Sequence, residues 1–379
     1  MSEYQYYEFQ AIDRPLTAKE MSELRSYSTR ARITPTSFVS DYAWGSFKGN
    51  EDAWMEKYFD AFLYLANWGT HVLKLRLPSR LLDPAVAKGY CGGDGAFVRE
   101  KEGKVILSFV SEDEEGGEWV EGEGYLSSLI SLRAELARGD LRALYLGWLL
   151  RAQSGELDDQ ETEPPVPSGL DQLSASLESL AELLRIDGDL LHVAAETSPP
   201  ISDAGIDRDE VRAWVGKLGT KEKDDIITSL MVDADHAQVV ELLQRFLKKR
   251  SAANGGLATT GRTVGQLLQA AEAYATERKR IEAEKRAKEK ARREREAAIA
   301  REQHLDSLVG REKKLWAEVE NLVASKQPKN YDQAVKLLVD LRDLAARGKD
   351  GDFGLRIEAL RQTHARKPSF MKRLAKSRL

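Results

Sequence analysis

Four places in the 379-residue chain hold residue types that could do chemistry. Cys91-Gly92-Gly93-Asp94-Gly95 puts the single thiol in a glycine-rich loop. A thiol there becomes a nucleophile if an electropositive site and a base lower its pKa. His71 is the only histidine in the same stretch of chain that could serve as that base. The plain alternative is a tight turn joining strands, with Cys91 as a small hydrophobe. Neither GxGxxG nor GxxxxGK[ST] is present, so the loop is not read as a phosphate cradle. The second place is Ser111–Gly124, with Glu112, Asp113, Glu114, Glu115, Glu118, Glu121 and Glu123 around Trp119. Its spacing does not fit a calcium loop. It reads either as a solvated hairpin loop or as a contact for a basic partner, through Glu112, Asp113, Glu114, Glu115 and Trp119.

The third place is Arg278–Arg301 and the fourth is the tail from His364 to Leu379. Glu277–Glu302 holds 11 basic and 7 acidic residues. Arg278, Arg286, Lys290 and Arg293 are candidates for gripping a protein partner. Arg292, Arg293 and Arg295, with Lys372 and Arg373 of the tail, are candidates for gripping phosphates, which needs cations and carries no base information. The plain alternative is a charge-laced spacer. His192, His236, His304 and His364 are scattered, and there is no HExxH and no cysteine pair. No metal site, cofactor or catalytic set is expected.

The charge that surrounds these residues is uneven. Residues 1–165 hold 18 Lys/Arg and 28 Asp/Glu, net −10; residues 166–260 hold 10 and 16, net −6; residues 261–379 hold 29 and 18, net +11. Such a split points to an electrostatic partner for one part. A single cysteine excludes a disulfide framework, and no run of ~18 apolar residues could span a membrane. Met1–Phe9 does not read as a secretion signal. The expected address is the cytoplasm, with no membrane contact.

The spacing of apolar residues predicts an α+β N-terminal domain, then an all-α bundle, a long charged single helix and a small C-terminal helical module. Tyr4–Ile12 suits a strand. Thr17 and Glu20 form a capping box, with Leu16 and Met21 as a hydrophobic staple, opening a helix that ends near Ser28. Arg32–Tyr42 is β-like, and Pro35 favours an edge. Asp52–Phe59 reads as a short helix. Ala61–Ala66 and His71–Leu77 make a hairpin around Gly69, whose leucines 73, 75 and 77 share one buried face. Val105–Val110 is another strand. Tyr125–Arg138 and Asp140–Arg151 are helices divided by Gly139, the second apolar nearly all round and therefore buried.

The domains expected are 1–157 (α+β), a Pro-rich acidic linker 158–169, a bundle 170–250, a Gly-rich linker 251–262, the charged helix 263–304 and the module 305–379. The charged helix has only Ile281 and Ile299 as large apolar residues across its middle, too few for coiled-coil a and d positions. Glu282–Arg286, Glu284–Lys288 and Glu289–Arg293 support it at i,i+4. About 40 residues would extend roughly 60 Å. In the module, Leu315–Val323 and Tyr331–Leu344 form a helical hairpin, and Phe353–Leu360 a third helix.

Tyr4-Gln-Tyr-Tyr-Glu-Phe-Gln-Ala-Ile-Asp-Arg-Pro-Leu16, Ile33-Thr-Pro-Thr36, Met55-Glu-Lys-Tyr-Phe-Asp-Ala61, Ala66-Asn-Trp-Gly69 and Gly139-Asp-Leu-Arg-Ala-Leu-Tyr-Leu-Gly-Trp148 carry a resemblance. Over residues 1–165 the chain resembles an uncharacterised family of bacterial cytoplasmic proteins, and that resemblance implies no activity and no catalytic residues. Tyr331-Asp-Gln-Ala-Val335, Leu341-Arg-Asp-Leu-Ala345 and His364-Ala-Arg-Lys-Pro-Ser369 are similar to C-terminal helices of bacterial SWIM-type zinc-finger proteins. The finger's paired cysteines and Cys-x-His are missing, so no zinc is implied. The function expected is a non-enzymatic bacterial adaptor with an acidic front half and a basic back half. Association with nucleic acid is the first alternative, and an enzyme with Cys91 as nucleophile the second.

Overall fold

The structure is a computed structural model. It describes residues 4–379 apart from 44, 46, 114–121, 202–206, 233–240, 247–248, 250–259 and 349–351. The chain divides into two compact units, Met1–Arg278 and Lys279–Leu379.

In the first unit, seven strands form one antiparallel sheet in the order β2-β3-β1-β4-β5-β7-β6. They are β1 (Gln5–Gln10), β2 (Arg32–Thr34), β3 (Ser37–Tyr42), β4 (Ala61–Ala66), β5 (His71–Pro78), β6 (Ala96–Lys101) and β7 (Lys104–Ser111). Helix α1 (Ala18–Tyr27) opens on the expected capping box, in which Glu20 N–H donates to Thr17 and Thr17 N–H to the Glu20 carboxylate. Pro35 lies in the turn between β2 and β3, so it removes no ladder donor, and β2 is an edge strand. The β4–β5 hairpin turns at Gly69. Its φ of +101° and the Asp113 carbonyl, 2.6 Å from where a Cβ would sit, both demand glycine. The expected single strand Val105–Val110 is one arm of a second hairpin, whose other arm is β6. Glu102 and Gly103 make its two-residue turn, both with positive φ.

The sheet is covered on both faces. Leu73, Leu75 and Leu77 point into a core with α3 (Pro84–Tyr90), α4 (Tyr125–Leu129), α5 (Ser131–Ala137) and α6 (Arg142–Gln153). The expected helix Tyr125–Arg138 is broken at Ile130 into α4 and α5. Nine residues of α6 are buried, as an all-apolar surface requires. On the opposite face Tyr7, Phe9, Phe38 and Phe62 pack with Leu24 of α1 and with Trp54 and Met55 of α2 (Glu51–Lys57). The alternate residues of β5, Lys74 and Arg76, are therefore buried as well.

Residues 158–169, read from sequence as a linker, carry Glu163 and Val166 into the interior. Thr162 bridges Thr263, Glu163 N–H donates to the Arg262 carbonyl and Val264 N–H to the Glu161 carbonyl. The prolines stiffen a strap that has a backbone partner. Helices α7 (Ala175–Leu183) and α8 (Gly188–Ala195), read as part of a separate bundle, place Leu177, Leu180, Leu183, Leu190 and Val193 in the sheet core. A leucine stripe tells that a helix has a partner without telling which. Helices α9 (Arg208–Gly216), α10 (Thr220–Val232) and α11 (241–246) follow. The expected Gly-rich linker lies largely outside the described residues.

Helix α12 (Val264–Leu308) is continuous. Val264, Leu267 and Ala271 lie in the sheet-unit core; Leu305 and Leu308 lie in the core of the second unit. The second unit continues with α13 (Glu312–Ala324), α14 (Pro328–Gly348), α15 (Asp352–Thr363) and α16 (Pro368–Lys376). The basic tail is thus a packed amphipathic helix, with Phe370 and Leu374 buried. Among the described residues, no helix is long and apolar enough to cross a membrane.

Candidate functional site

Cys91 follows the last turn of α3, where its N–H donates to the Ala87 carbonyl. Its side chain is 1% exposed and its thiol faces the Leu144 carbonyl at 3.8 Å. Burial pushes the thiol up to about 12, against a small opposing effect of Arg151, so it stays protonated at neutral pH. The glycines after it let Glu156 approach: its Oε2 accepts from Gly95 N–H at 2.8 Å, and its Oε1 from Arg151 Nε at 2.6 Å. A Cβ on Gly93 would sit 1.3 Å from Glu156 Oε1. The loop is built as a turn that feeds β6.

His71 is engaged elsewhere. Its Nδ1 donates to the Leu183 carbonyl at 3.1 Å, leaving Nε2 to accept from Arg185 Nη2 at 3.2 Å. Arg185 also donates to the Gly69 carbonyl and to Ser111 Oγ. Burial first, and the Arg185 charge after it, lower the His71 pKa and favour the neutral ring. This cluster clips the α7–α8 corner to the β4–β5 turn.

In the acidic segment Glu112 is exposed and Asp113 half-buried against Gly69. Glu114, Glu115 and Trp119 lie outside the described residues. Glu123 pairs with Arg32 at 3.2 Å.

The basic candidates separate once their partners are visible. Arg278 donates twice to the Asp189 carboxylate, at 2.7 and 2.8 Å, and so is tied to α8. Beyond it, residues 283–300 are all exposed. Arg286 faces Glu282 at 3.7 Å, Lys290 faces Glu294 at 4.0 Å, Arg292 faces Glu296 at 3.7 Å and Arg293 faces Glu289 at 2.6 Å. Arg295 is exposed on the same stretch. The expected Glu284–Lys288 pair is replaced by Arg280–Glu284. Lys372 is exposed, whereas Arg373 donates to Asp332 at 2.6 Å and to Ser369.

Three buried polar assemblies were not anticipated. Arg76 donates through Nε and Nη2 to Asp60 Oδ1, and through Nη1 to the Met55 and Glu56 carbonyls at the end of α2. Lys74 meets Asp52 at 2.7 Å and Glu51 at 3.3 Å. Glu163 accepts from Tyr145, Thr260 and both Nε and Nη2 of Arg262, fixing the entry to α12. The detectable signal was Lys74 and Arg76 alternating with leucines, because cations at a regular strand position need acids over that face. The second unit repeats the pattern: Arg301 of α12 donates to Asp340 and Asp343 of α14, and His304 meets Asp340 at 2.9 Å. Among the described residues no group of three or more His, Cys, Asp or Glu could hold a metal ion.

Compared with known proteins, the chain matches no family model, no curated protein and no solved structure.

Proposed function

We propose that the protein is a non-enzymatic adaptor, which joins macromolecules through surfaces on its two units and on the helix that enters both. The observation that carries this reading is the middle of α12. A helix that is polar all round gains nothing from a core and is used where a solvent-exposed connection is needed. Residues 283–300 are exposed throughout, and their ends run into turns that two cores bury. The ionisable groups found inside the units support the same reading. Each holds a neighbouring element in place: Arg76, paired with Asp60, for α2, Glu163 for α12 and His71 for the α7–α8 corner.

A tagged full-length chain, captured from extracts of its own cell at physiological salt, is expected to retain a protein partner. Replacing Arg286, Lys290 and Arg293 together by alanine, the strongest helix former, should weaken that retention while leaving the circular dichroism unchanged. If the full chain retains no macromolecule at low or physiological salt, the adaptor reading fails.

A further inference from the structure

One side of α12 carries cations with no acid among them. Ile281, Lys285, Lys288, Arg292, Arg295 and Ile299 follow one another at steps of four and three residues. Their mean step is the period of the α-helix itself, so the six side chains leave the rod in one line, over about 27 Å. All six are exposed. Among the described residues Lys285, Lys288 and Arg295 face no carboxylate within ion-pair distance, and Arg292 meets Glu296 at 3.7 Å. Other sides of the helix differ. Arg280, Arg286 and Arg293 each face a glutamate four residues away.

The same line of residues is already occupied where it continues along α12. Toward the N-terminus Val264, Leu267 and Ala271 are buried. Tyr274 then stacks on His192 of α8, with 4.2 Å between ring centres, and Arg278 donates to Asp189 of α8. Toward the C-terminus Glu302 and Asp306 pair with Arg347 of α14. The charged members at both ends are thus met by another helix that presents the opposite charge.

Spacing and charge select what fits the middle. Four cations within about 15 Å repel a second copy of the same line. A helix with carboxylates at alternating steps of three and four meets them in register along its whole length, as the seam positions of paired helices do. Isoleucine at each end asks for an apolar residue on the same face. Glu284 on one flank and Glu296 on the other confine the positive strip to the width of one helix. A nucleic-acid duplex, charged across its whole surface, would be pressed against those glutamates.

We infer that the line from Ile281 to Ile299 receives an acidic helix of a partner protein, with four carboxylates over Lys285, Lys288, Arg292 and Arg295 between two apolar end contacts. This goes beyond the adaptor reading on which it rests. It names a contact line apart from Arg286, Lys290 and Arg293, and the chemistry of its occupant.

The test uses the full-length chain and a labelled synthetic helix of about 21 residues. Leucine, four glutamates and leucine follow one another in it at steps of four and three, with alanine and glutamine elsewhere. Two controls are its scramble and its lysine-for-glutamate counterpart. Fluorescence anisotropy should show saturable binding that weakens with salt, and neither control should match it. Replacing Lys285, Lys288, Arg292 and Arg295 together by alanine should weaken binding by about tenfold or more, with unchanged circular dichroism. No binding of the acidic helix at low salt overturns the inference, as does equal binding of the scramble or an unaffected fourfold variant. A single-stranded oligonucleotide that binds the same four cations as tightly also overturns it, since the line then reads charge alone. Self-association of the chain that the fourfold variant abolishes overturns it too, because the occupant is then a second copy. If the acidic helix fails while the full chain still captures a cellular partner, this assignment falls and the adaptor reading stands. Helix binding without any captured partner sinks the adaptor reading alone.

Discussion

Asp60→Ala tests whether the sheet unit depends on its buried charges as strongly as their geometry demands. Asp60 Oδ1 receives Arg76 Nη2 at 2.7 Å and Nε at 3.1 Å; Oδ2 receives the N–H groups of Ile12 at 2.7 Å and Asp13 at 2.9 Å. The side chains are 2% and 5% exposed. Without the carboxylate, the guanidinium keeps the Met55 and Glu56 carbonyls but loses its counter-charge. Ile12 is itself exposed, so water can reach that end of the site, and most of the loss falls on Arg76. Removing one member of such a pair costs about 3–5 kcal/mol, whereas replacing both by apolar groups is close to neutral. Against a typical domain stability of about 5–15 kcal/mol, that is a large fraction.

Because the chain has two units, one unfolding midpoint does not measure either. Native-state hydrogen exchange of the β1, β4 and β5 amides isolates the sheet unit. Asp60→Ala should lower its opening free energy by about 3–5 kcal/mol, and Asp60→Ala with Arg76→Met should recover at least half. A loss below about 1 kcal/mol, the value of an ordinary hydrogen bond, would refute the reasoning, as would a double variant no better than the single. Acid gives the same information without mutation. Burial alone would raise the Asp60 carboxyl, but the Arg76 charge and the N–H groups of Asp13 and Ile12 outweigh it and hold it below its ordinary value. Its contribution is full above the unfolded carboxyl pKa near 3.9 and disappears as pH falls through the lower folded value.

Glu163→Ala should cost about 3 kcal/mol or more, because it abandons Arg262, and exchange should rise first in the opening turns of α12. Neutral His71 predicts an effect in a different window. Its folded pKa is lowered, so its contribution is full above the ordinary histidine value near 6.5 and is lost as pH drops through the folded one. Amides at 69–72 and 183–187 should lose protection over that range in the native chain and keep it in His71→Phe. Cys91 should react with iodoacetamide far more slowly than a model thiol near neutral pH; rapid labelling would restore the nucleophile reading. Since four cations of α12 already face glutamates, duplex DNA should show no shift at physiological salt, and a salt-steep shift would revive the phosphate-binding reading.

Periodicity made the strands around Gly69, the buried α6 and the charged α12 legible, because each has one dominant pattern. What stayed hidden depended on neighbours distant in sequence. β6 carries Arg99, Glu100 and Lys101, which suit an edge strand but look like a loop. The leucines of α7 announce a buried face, yet only tertiary structure says that the sheet covers it. Glu163 sits in a proline-rich acidic run whose partner, Arg262, is 99 residues away. The acidic candidates around Trp119 showed the limit of composition: Glu123 finds Arg32, from a strand 91 residues earlier, through folding rather than local spacing.

Helix α12 shows how such distant pairs support a segment that cannot support itself. Each exposed i,i+4 ion pair contributes a few tenths of a kcal/mol, enough to keep 283–300 helical but too little to fix where its ends go. Fixing falls to the ends. At one, Glu163 grips Arg262 two residues before the helix starts, and Asp189 takes Arg278 through both oxygens. At the other, Asp340 and Asp343 hold Arg301, and Arg347 reaches Glu302 and Asp306 at 2.7 and 3.1 Å. The charge excess of the back half is therefore partly used at these anchors. What remains along α12 itself lies on its exposed middle, residues 283–300.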